Sequence, residues 1–338
     1  MQKINMLAKP KFGKTNKRNN YLYGEIEKND NCNIYDFSLF NLLFKKFDGF
    51  HYHWPDRVLI GNPVKVAVKL MLLWLLFKLI RIKKAKSIYT CHNPAVKYKV
   101  RNKFVHVYYR VIRDATDAII FPSPQSEMVF FEQLNNLKLD FRGHKAVIPL
   151  GLQTDLASVK AIRPRELGQR TKDYLLLVGR ISEDKRFDST VSKLLTYSNF
   201  QGVEIVVAGL GKDEPQVNNL EVMQNGSSLV SLINRKLADG EVNYLIQNCK
   251  GVVIDYKAIN SGVATLTAAL GKVILCSDEE FITSFKSQYH YEKIFSLEDV
   301  PFPSVDEQSD LNFDGAMSMM EVSEKTYDFY KQVLSDNV

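Results

Sequence analysis

The sequence predicts an α/β protein of two doubly wound parallel-sheet domains, and three observations carry that expectation. At 338 residues the chain exceeds one ordinary domain of ~100–200 residues. Short runs rich in Val, Ile and Leu recur without alternating with polar residues, as strands covered on both faces read. Longer segments of helical period separate these runs from end to end, which is the pattern of parallel strands joined by crossovers.

The first series of runs places strands at residues 3–7, 33–37, 49–53, 87–91, 117–121 and 145–149. The second places them at 174–179, 203–209, 228–233, 251–255 and 272–277. Residues 151–172, which include Pro164, have no strong period and read as a linker. The expected domains are therefore 1–155 and 172–316. A final helix, 317–338, is expected to pack back toward the first domain through Met319, Met320, Tyr327, Tyr330 and Leu334. No short repeat or low-complexity segment interrupts this plan.

Two helices of the first domain stand out. Residues 64–82 form the most apolar stretch, but Lys65, Lys69, Lys78 and Arg81 interrupt it. A membrane-spanning helix needs ~20 mostly apolar residues with few charges. The stretch reads as a helix buried at mid-length with basic ends that snorkel, with partial insertion into a membrane surface as the competing reading. On a helix over residues 99–113, Lys99, Lys103, His106, Arg110 and Arg113 share one arc, opposite Phe104, Val105, Tyr108, Val111 and Ile112. This is either a solvated charged face or a seat for anionic head groups.

Hydrophobic residues at 45% and charged residues at 25% exclude disorder and fibre. The four cysteines include no C-x-x-C pair, which argues against a disulfide scaffold or thiolate zinc site and fits a reducing cytosol. The N-terminus lacks the apolar region of a signal peptide. The net charge of +7 divides unevenly, with residues 1–150 at +15 and the remainder at −8. Such a field favours a polyanionic partner: phosphate groups, nucleic acid or an anionic membrane.

The chemistry concentrates at strand ends. The strand at 174–178 runs into Gly179, Arg180, Ile181 and Ser182, then Lys185. In doubly wound sheets ligands sit beyond the carboxyl ends of the strands, where an Arg fork and a Lys point charge can both meet a diphosphate. Surface decoration is the plainer reading. After the strand at 251–255, Asn260, Ser261 and Gly262 open a helix whose first amides suit an anion, though either polar residue can be a plain N-cap.

The runs LLLVGRISEDKRFD, VVAGLGKDE and INSGVATLTAALGKVILCSD resemble the donor half of a two-Rossmann GT-B glycosyltransferase of the family-4 type. HYHWPDRVL and TCHNPAVKYK resemble segments of bacterial exopolysaccharide glycosyltransferases, such as the β-mannosyltransferase type of xanthan assembly. The resemblance implies two Rossmann-like domains facing a cleft, with a nucleotide sugar on the second domain and an acceptor on the first. It implies that Gly179, Arg180 and Lys185, with the amides of Asn260, Ser261 and Gly262, take the donor diphosphate, and that Thr265 reaches the sugar or ribose. The family's Gly after the Lys is Arg186 here, and its E-x7-E glutamates are replaced by Ala258 and Leu266. That departure weakens a retaining mechanism and leaves a degenerate donor site open.

An inverting transferase needs a base for the acceptor hydroxyl and cations or amides for the leaving diphosphate, with no cofactor or metal required. Asp56 follows the strand at 49–53, and it is the lone acid among residues 51–100. A turn or capping Asp is the plainer reading. His51 and His53 lie beside it on one face of the strand, and His92 follows the strand at 87–91. The six histidines show no metal-ligand spacing.

The leading expectation is an inverting hexosyltransferase. It would take GDP-mannose or a UDP-hexose and act on a lipid-linked or oligosaccharide acceptor for exopolysaccharide, capsule or lipopolysaccharide, peripherally on the cytoplasmic face of the membrane. A non-catalytic partner subunit of the same fold and a sugar-nucleotide epimerase stay open. A nucleic-acid binder is disfavoured, because there is no helix-turn-helix, zinc finger or RNP-type motif.

Overall fold

The computed structural model describes residues 3–12, 18–96, 100–167, 174–211, 214–257, 259–298 and 317–335. The chain divides into two compact units, one of Met1–Leu150 with Met319–Val338, the other Gly151–Ser318.

In chain order the first unit contains β1 (Ile4–Lys9), α1 (Arg18–Glu27), β2 (Cys32–Asp36), α2 (Leu39–Phe44), β3 (Gly49–His53), α3 (Pro63–Ile82), β4 (Lys86–Thr90), α4 (Asn102–Ala115), β5 (Ala118–Phe121), α5 (Pro124–Asn136) and β6 (His144–Val147). The strands form one parallel sheet in the order β2-β1-β3-β4-β5-β6. From β1 the chain winds outward to β2, then crosses back to β3 on the other side, so the winding reverses between β1 and β3. Ligand crevices of open α/β sheets form at that reversal, outside the carboxyl ends.

Alternate residues of β3 serve opposite sides of the sheet. Phe50 and Tyr52 pack in one cluster with Leu70, Leu73, Phe77 and Ile80 of α3. His51 and His53 face the other way, toward α1 and the chain's last helix, Met319–Ser335. That helix turns Met319, Val322, Phe329, Tyr330 and Val333 inward, while Met320 is exposed. Asn62 caps α3 by accepting from the Lys65 amide, and Pro63 occupies the first turn, where no amide donor is needed.

Two expectations need correction here. The helix α3 is buried along one side only, and its outer side is exposed and apolar. Its average hydropathy exceeds what packing on one sheet face requires, which is why the sequence suggested deeper burial. The α4 helix begins at Asn102, and Lys99 lies outside the described residues. Along this helix Asp114 pairs with Arg113 at 2.5 Å and with Arg110 at 3.9 Å, so the basic arc is partly neutralised.

The second unit contains α6 (Thr154–Ala157), β7 (Tyr174–Val178), α7 (Phe187–Thr196), β8 (Glu204–Ala208), α8 (Pro215–Gly226), β9 (Val230–Ile233), α9 (Asp239–Asn248), β10 (Gly251–Ile254), α10 (Gly262–Ala269), β11 (Ile274–Cys276), α11 (Glu279–Tyr289) and β12 (Ile294–Ser296). Its parallel sheet runs β12-β11-β10-β7-β8-β9. Counted within the unit this is the 3-2-1-4-5-6 order of dinucleotide-binding sheets, with the reversal between β7 and β10. The edge strand β12 was not anticipated. At three residues it carries no periodic signal.

Candidate active site

Two crevices lie at the two reversal points, one in each unit. In the second unit, β7 runs into Gly179, whose φ of +124° suits glycine. A side chain there would meet the Lys185 ammonium at 2.5 Å. Gly209, after β8, has φ +154°, and a Cβ on it would strike the Gly179 carbonyl. The two glycines thus let the β7 and β8 ends close on each other and leave a notch for Lys185. The Lys185 ammonium lies over the rings of Tyr256, at 5.0 Å, and Phe187, at 5.5 Å. It is held by aromatic faces, with no carboxylate in ion-pair reach among the described residues, a setting that favours an incoming anion.

On the β10 side, Ser261 caps α10, its hydroxyl accepting from the Ala264 amide at 3.2 Å. The plain-cap reading therefore describes the Ser261 side chain. Helix geometry leaves the amides of Gly262 and Val263 without an intrahelical acceptor, at the positive end of the helix dipole. Val263 is 3.7 Å from the position a Gly179 side chain would take, so this helix end and the β7 loop adjoin. Thr265 is buried, accepts from Gln153 Nε2 at 2.8 Å and donates to the Gly262 carbonyl at 3.1 Å. Its hydroxyl is thus engaged within the unit, and Gln153 sits at the helix mouth. Asn260 is half-buried in the turn before the cap. Arg180 reaches out from the rim, largely exposed, 3.8 Å from Glu214.

Gly179, Lys185, Ser261 and Gly262 therefore come together at one strand-end crevice, with Arg180 at its edge. Tyr256 and Gln153 were missed by sequence reasoning. Tyr256, which also approaches Ser261 at 3.4 Å, carried a signal as an aromatic directly after an apolar strand. Leu266, in the place of the second family glutamate, is buried in the core cluster, and Ala258 lies outside the described residues.

Arg186 has φ +49° and ψ +41°, the left-handed region that side chains resist. This gives a physical reason for a glycine at that position in the family pattern. We expect Arg186→Gly to hold or raise stability by up to about 1 kcal/mol, and Arg186→Val to lower it. Urea unfolding of the two variants measures both effects.

In the first unit, the crevice at β1 and β3 holds a pocket of about 640 Å³. That is within the ~300–1,000 Å³ range of small-molecule sites. Phe50, Tyr52, Leu73, Leu76 and Phe77 give it apolar walls, while Lys9, Arg57 and Lys69 place cations on it. Burial lowers the pKa of Lys9 from its ordinary value. Pro10, after a cis Lys9–Pro10 bond, and Trp54, with φ +50°, stand where β1 and β3 end.

Behind the pocket runs a polar cluster. His51 is buried, with Nδ1 against Tyr23 Oη at 3.0 Å and Tyr330 Oη at 2.5 Å, and Nε2 against Thr90 Oγ1 at 2.7 Å. Tyr23 Oη also meets His53 Nε2 at 2.6 Å, and His53 Nδ1 meets His92 Nε2 at 2.9 Å. His92, half-buried, stacks on Trp54 with ring centroids 4.5 Å apart. Burial first, then the Arg18 charge, pushes His51 down to about 3. Burial and the neighbouring imidazoles push His53 well below its ordinary value, and burial followed by Arg18 and His51 does the same to His92. Three neutral imidazoles, His51 and His53 joined through Tyr23, thus form a chain of hydrogen bonds from the core to the half-buried His92.

Asp56 lies on a 3-10 turn, Pro55–Leu59, and points inward. It is buried and accepts from Asn93 Nδ2 at 3.0 Å. Burial, and then the Asp56 carboxylate, hold the Tyr108 phenol well above its ordinary pKa. The geometry has Asp56 bonded to the loop that carries His92 and Asn93. Tyr23 carried no sequence signal, and the pairings of Thr90 and Tyr330 with His51 could not be read because the partners are distant in the chain.

No family model and no curated sequence matches this chain. Solved structures do resemble it. HepE of Anabaena, in complex with UDP and glucose, aligns with TM-score 0.64 at 11% identity, over 97% of this chain and 100% of that one. A sucrose-phosphate synthase from Thermosynechococcus elongatus aligns at 0.64 and 12%, over 100% of both chains. A trehalose-6-phosphate protein from E. coli, bound with UDP-2-fluoro glucose, aligns at 0.62 and 10%, over 98% of both. At these identities the likeness is one of fold, and the fold is the two-domain α/β architecture of the GT-B glycosyltransferases.

Proposed function

We propose that the protein is a glycosyltransferase that moves a hexosyl group from a nucleotide sugar to a glycan acceptor. One observation carries this reading: at the reversal point of the second sheet, Lys185 and the first amides of α10 face one crevice, beside Gly179. Lys185, Arg180 and those amides supply the positive charge that a departing nucleoside diphosphate needs. In the reaction the acceptor oxygen bonds to the anomeric carbon as the bond to the β-phosphate breaks. The acceptor proton passes to a base, which we assign to the His92 end of the histidine chain, with His53 behind it and Asp56 holding the loop through Asn93.

A UDP-hexose is the donor we favour, since HepE and the trehalose-6-phosphate protein are described with UDP ligands; GDP-mannose is the alternative. The apolar, cation-bearing pocket of the first unit supports an acceptor with an apolar anchor and a diphosphate, as in a lipid-linked glycan of a surface polysaccharide. The place of work is then the cytoplasmic face of the membrane, peripherally held. An acid is missing at Leu266, which supports inversion at the anomeric carbon. The same absence favours a second reading, a partner subunit that binds acceptor without transferring sugar.

Thermal unfolding with UDP, GDP and their sugar conjugates tests the donor site, because a ligand of the folded state raises Tm. We expect a rise with a uridine nucleotide that Arg180→Ala diminishes. No rise with any nucleotide would leave the partner-subunit reading.

A further inference from the structure

We propose that the outer side of α3, together with α2, is a docking face for an anionic bilayer. Val64, Val68, Leu72, Leu75, Leu79 and Ile82 recur at three- and four-residue steps, so they form one stripe along the helix. This stripe is the side turned away from the core. Val64 is 74% exposed, Leu72 55%, Leu75 42% and Ile82 75%. The neighbouring α2 adds Phe40 and Phe44, the latter 71% exposed, with their rings 5.1 Å apart. Lys83, at the end of α3, donates to the carbonyls of Leu43 at 2.8 Å and Lys45 at 3.3 Å. The two apolar surfaces therefore adjoin. Contiguous exposed apolar surface of this extent marks an interaction site.

Charge selects the partner. Residues 57–113 contain fourteen Lys and Arg and no Asp or Glu. Protein–protein interface cores are depleted in Lys, whereas a basic helix with one apolar face suits anionic head groups above acyl chains. Trp74 is exposed with the Lys78 ammonium over its ring at 5.3 Å, a pairing suited to the head-group layer. No described helix is long and apolar enough to cross a membrane, so α3 would lie in the plane of the interface. The α4 arc, partly neutralised by Asp114, is the weaker candidate. This inference names the face by which the proposed transferase meets its membrane, and it rests on that reading for its purpose.

The test is co-flotation of the full chain with vesicles of phosphatidylcholine, with and without phosphatidylglycerol, for the wild type and a Leu72→Glu/Leu75→Glu variant. We expect flotation with the anionic vesicles, weakened by salt, and a loss of about tenfold or more in the variant at unchanged Tm. A second variant, Val64→Glu/Ile82→Glu, at the helix ends, serves if the first misfolds. Failure of the wild type to float, or equal flotation of the variants, overturns the proposal. A wild-type dimer that the variants split, without flotation, assigns the face to a second copy and also overturns it. Nucleotide-induced Tm shifts on the same samples separate the two readings. Flotation without any shift removes the donor site alone, and a shift without flotation removes the docking face alone.

Discussion

Replacing Lys185 with alanine is expected to lower kcat/KM for the nucleotide sugar by about 100-fold. Hydrogen bonds to charged groups contribute about 1.5–3 kcal/mol, and each ~1.4 kcal/mol is a factor of ten. The upper end applies because the ammonium is held in place before any ligand arrives, by Gly179 beneath it and the rings of Tyr256 and Phe187 around it. Arg180, largely exposed and able to swing, is expected to cost less, about tenfold. Lys185→Arg should recover little, since the guanidinium is too large for the notch beside Gly179. Steady-state kinetics with saturating acceptor separate the two losses. A Lys185→Ala enzyme of wild-type activity would remove Lys185 from the donor site.

Acidification is expected to unfold the first unit while the second persists. The His51 pKa falls from its ordinary 6.5 to about 3, and those of His53 and His92 are also pushed well down. Above pH ~6.5 all three are neutral in both states, and the cluster contributes fully. As pH falls below that value the unfolded chain takes up protons that the folded cluster refuses. Each histidine then costs about 1.4 kcal/mol per pH unit, until the folded value is reached. Between pH 7.5 and 5.5 three groups amount to about 3–4 kcal/mol, or on the order of 10 °C in the Tm of a unit this size. His51→Gln is expected to lower stability at neutral pH but to flatten the pH slope by about one proton. Calorimetry across this range measures both, and an unchanged slope would mean that His51 is protonated when folded.

The repeating runs of Val, Ile and Leu made both sheets legible, because strands buried on both faces need an apolar residue at every position. Glycine at strand ends made a crevice of the second unit legible, and Gly179 does sit at the reversal point with Lys185 against it. Three features were hidden for different physical reasons. Strand β12 is too short to show a period. The exposed stripe of α3 is invisible to composition, since an apolar residue reads alike whether it meets core or solvent. Tyr330 meets His51 across 279 residues, a pairing that only the folded chain displays.

That last pairing bears on how the protein is made. Residues 1–150 are synthesised before 151–318, yet the unit they belong to also includes 319–338. Until that final segment emerges, Tyr23 is the only tyrosine at His51 Nδ1, and the α1 side of the sheet lacks the cover of Phe329 and Tyr330. The second unit, continuous in sequence, is complete earlier and can reach its native state first. The N-terminal part thus waits through the synthesis of more than half the chain before its unit can be completed.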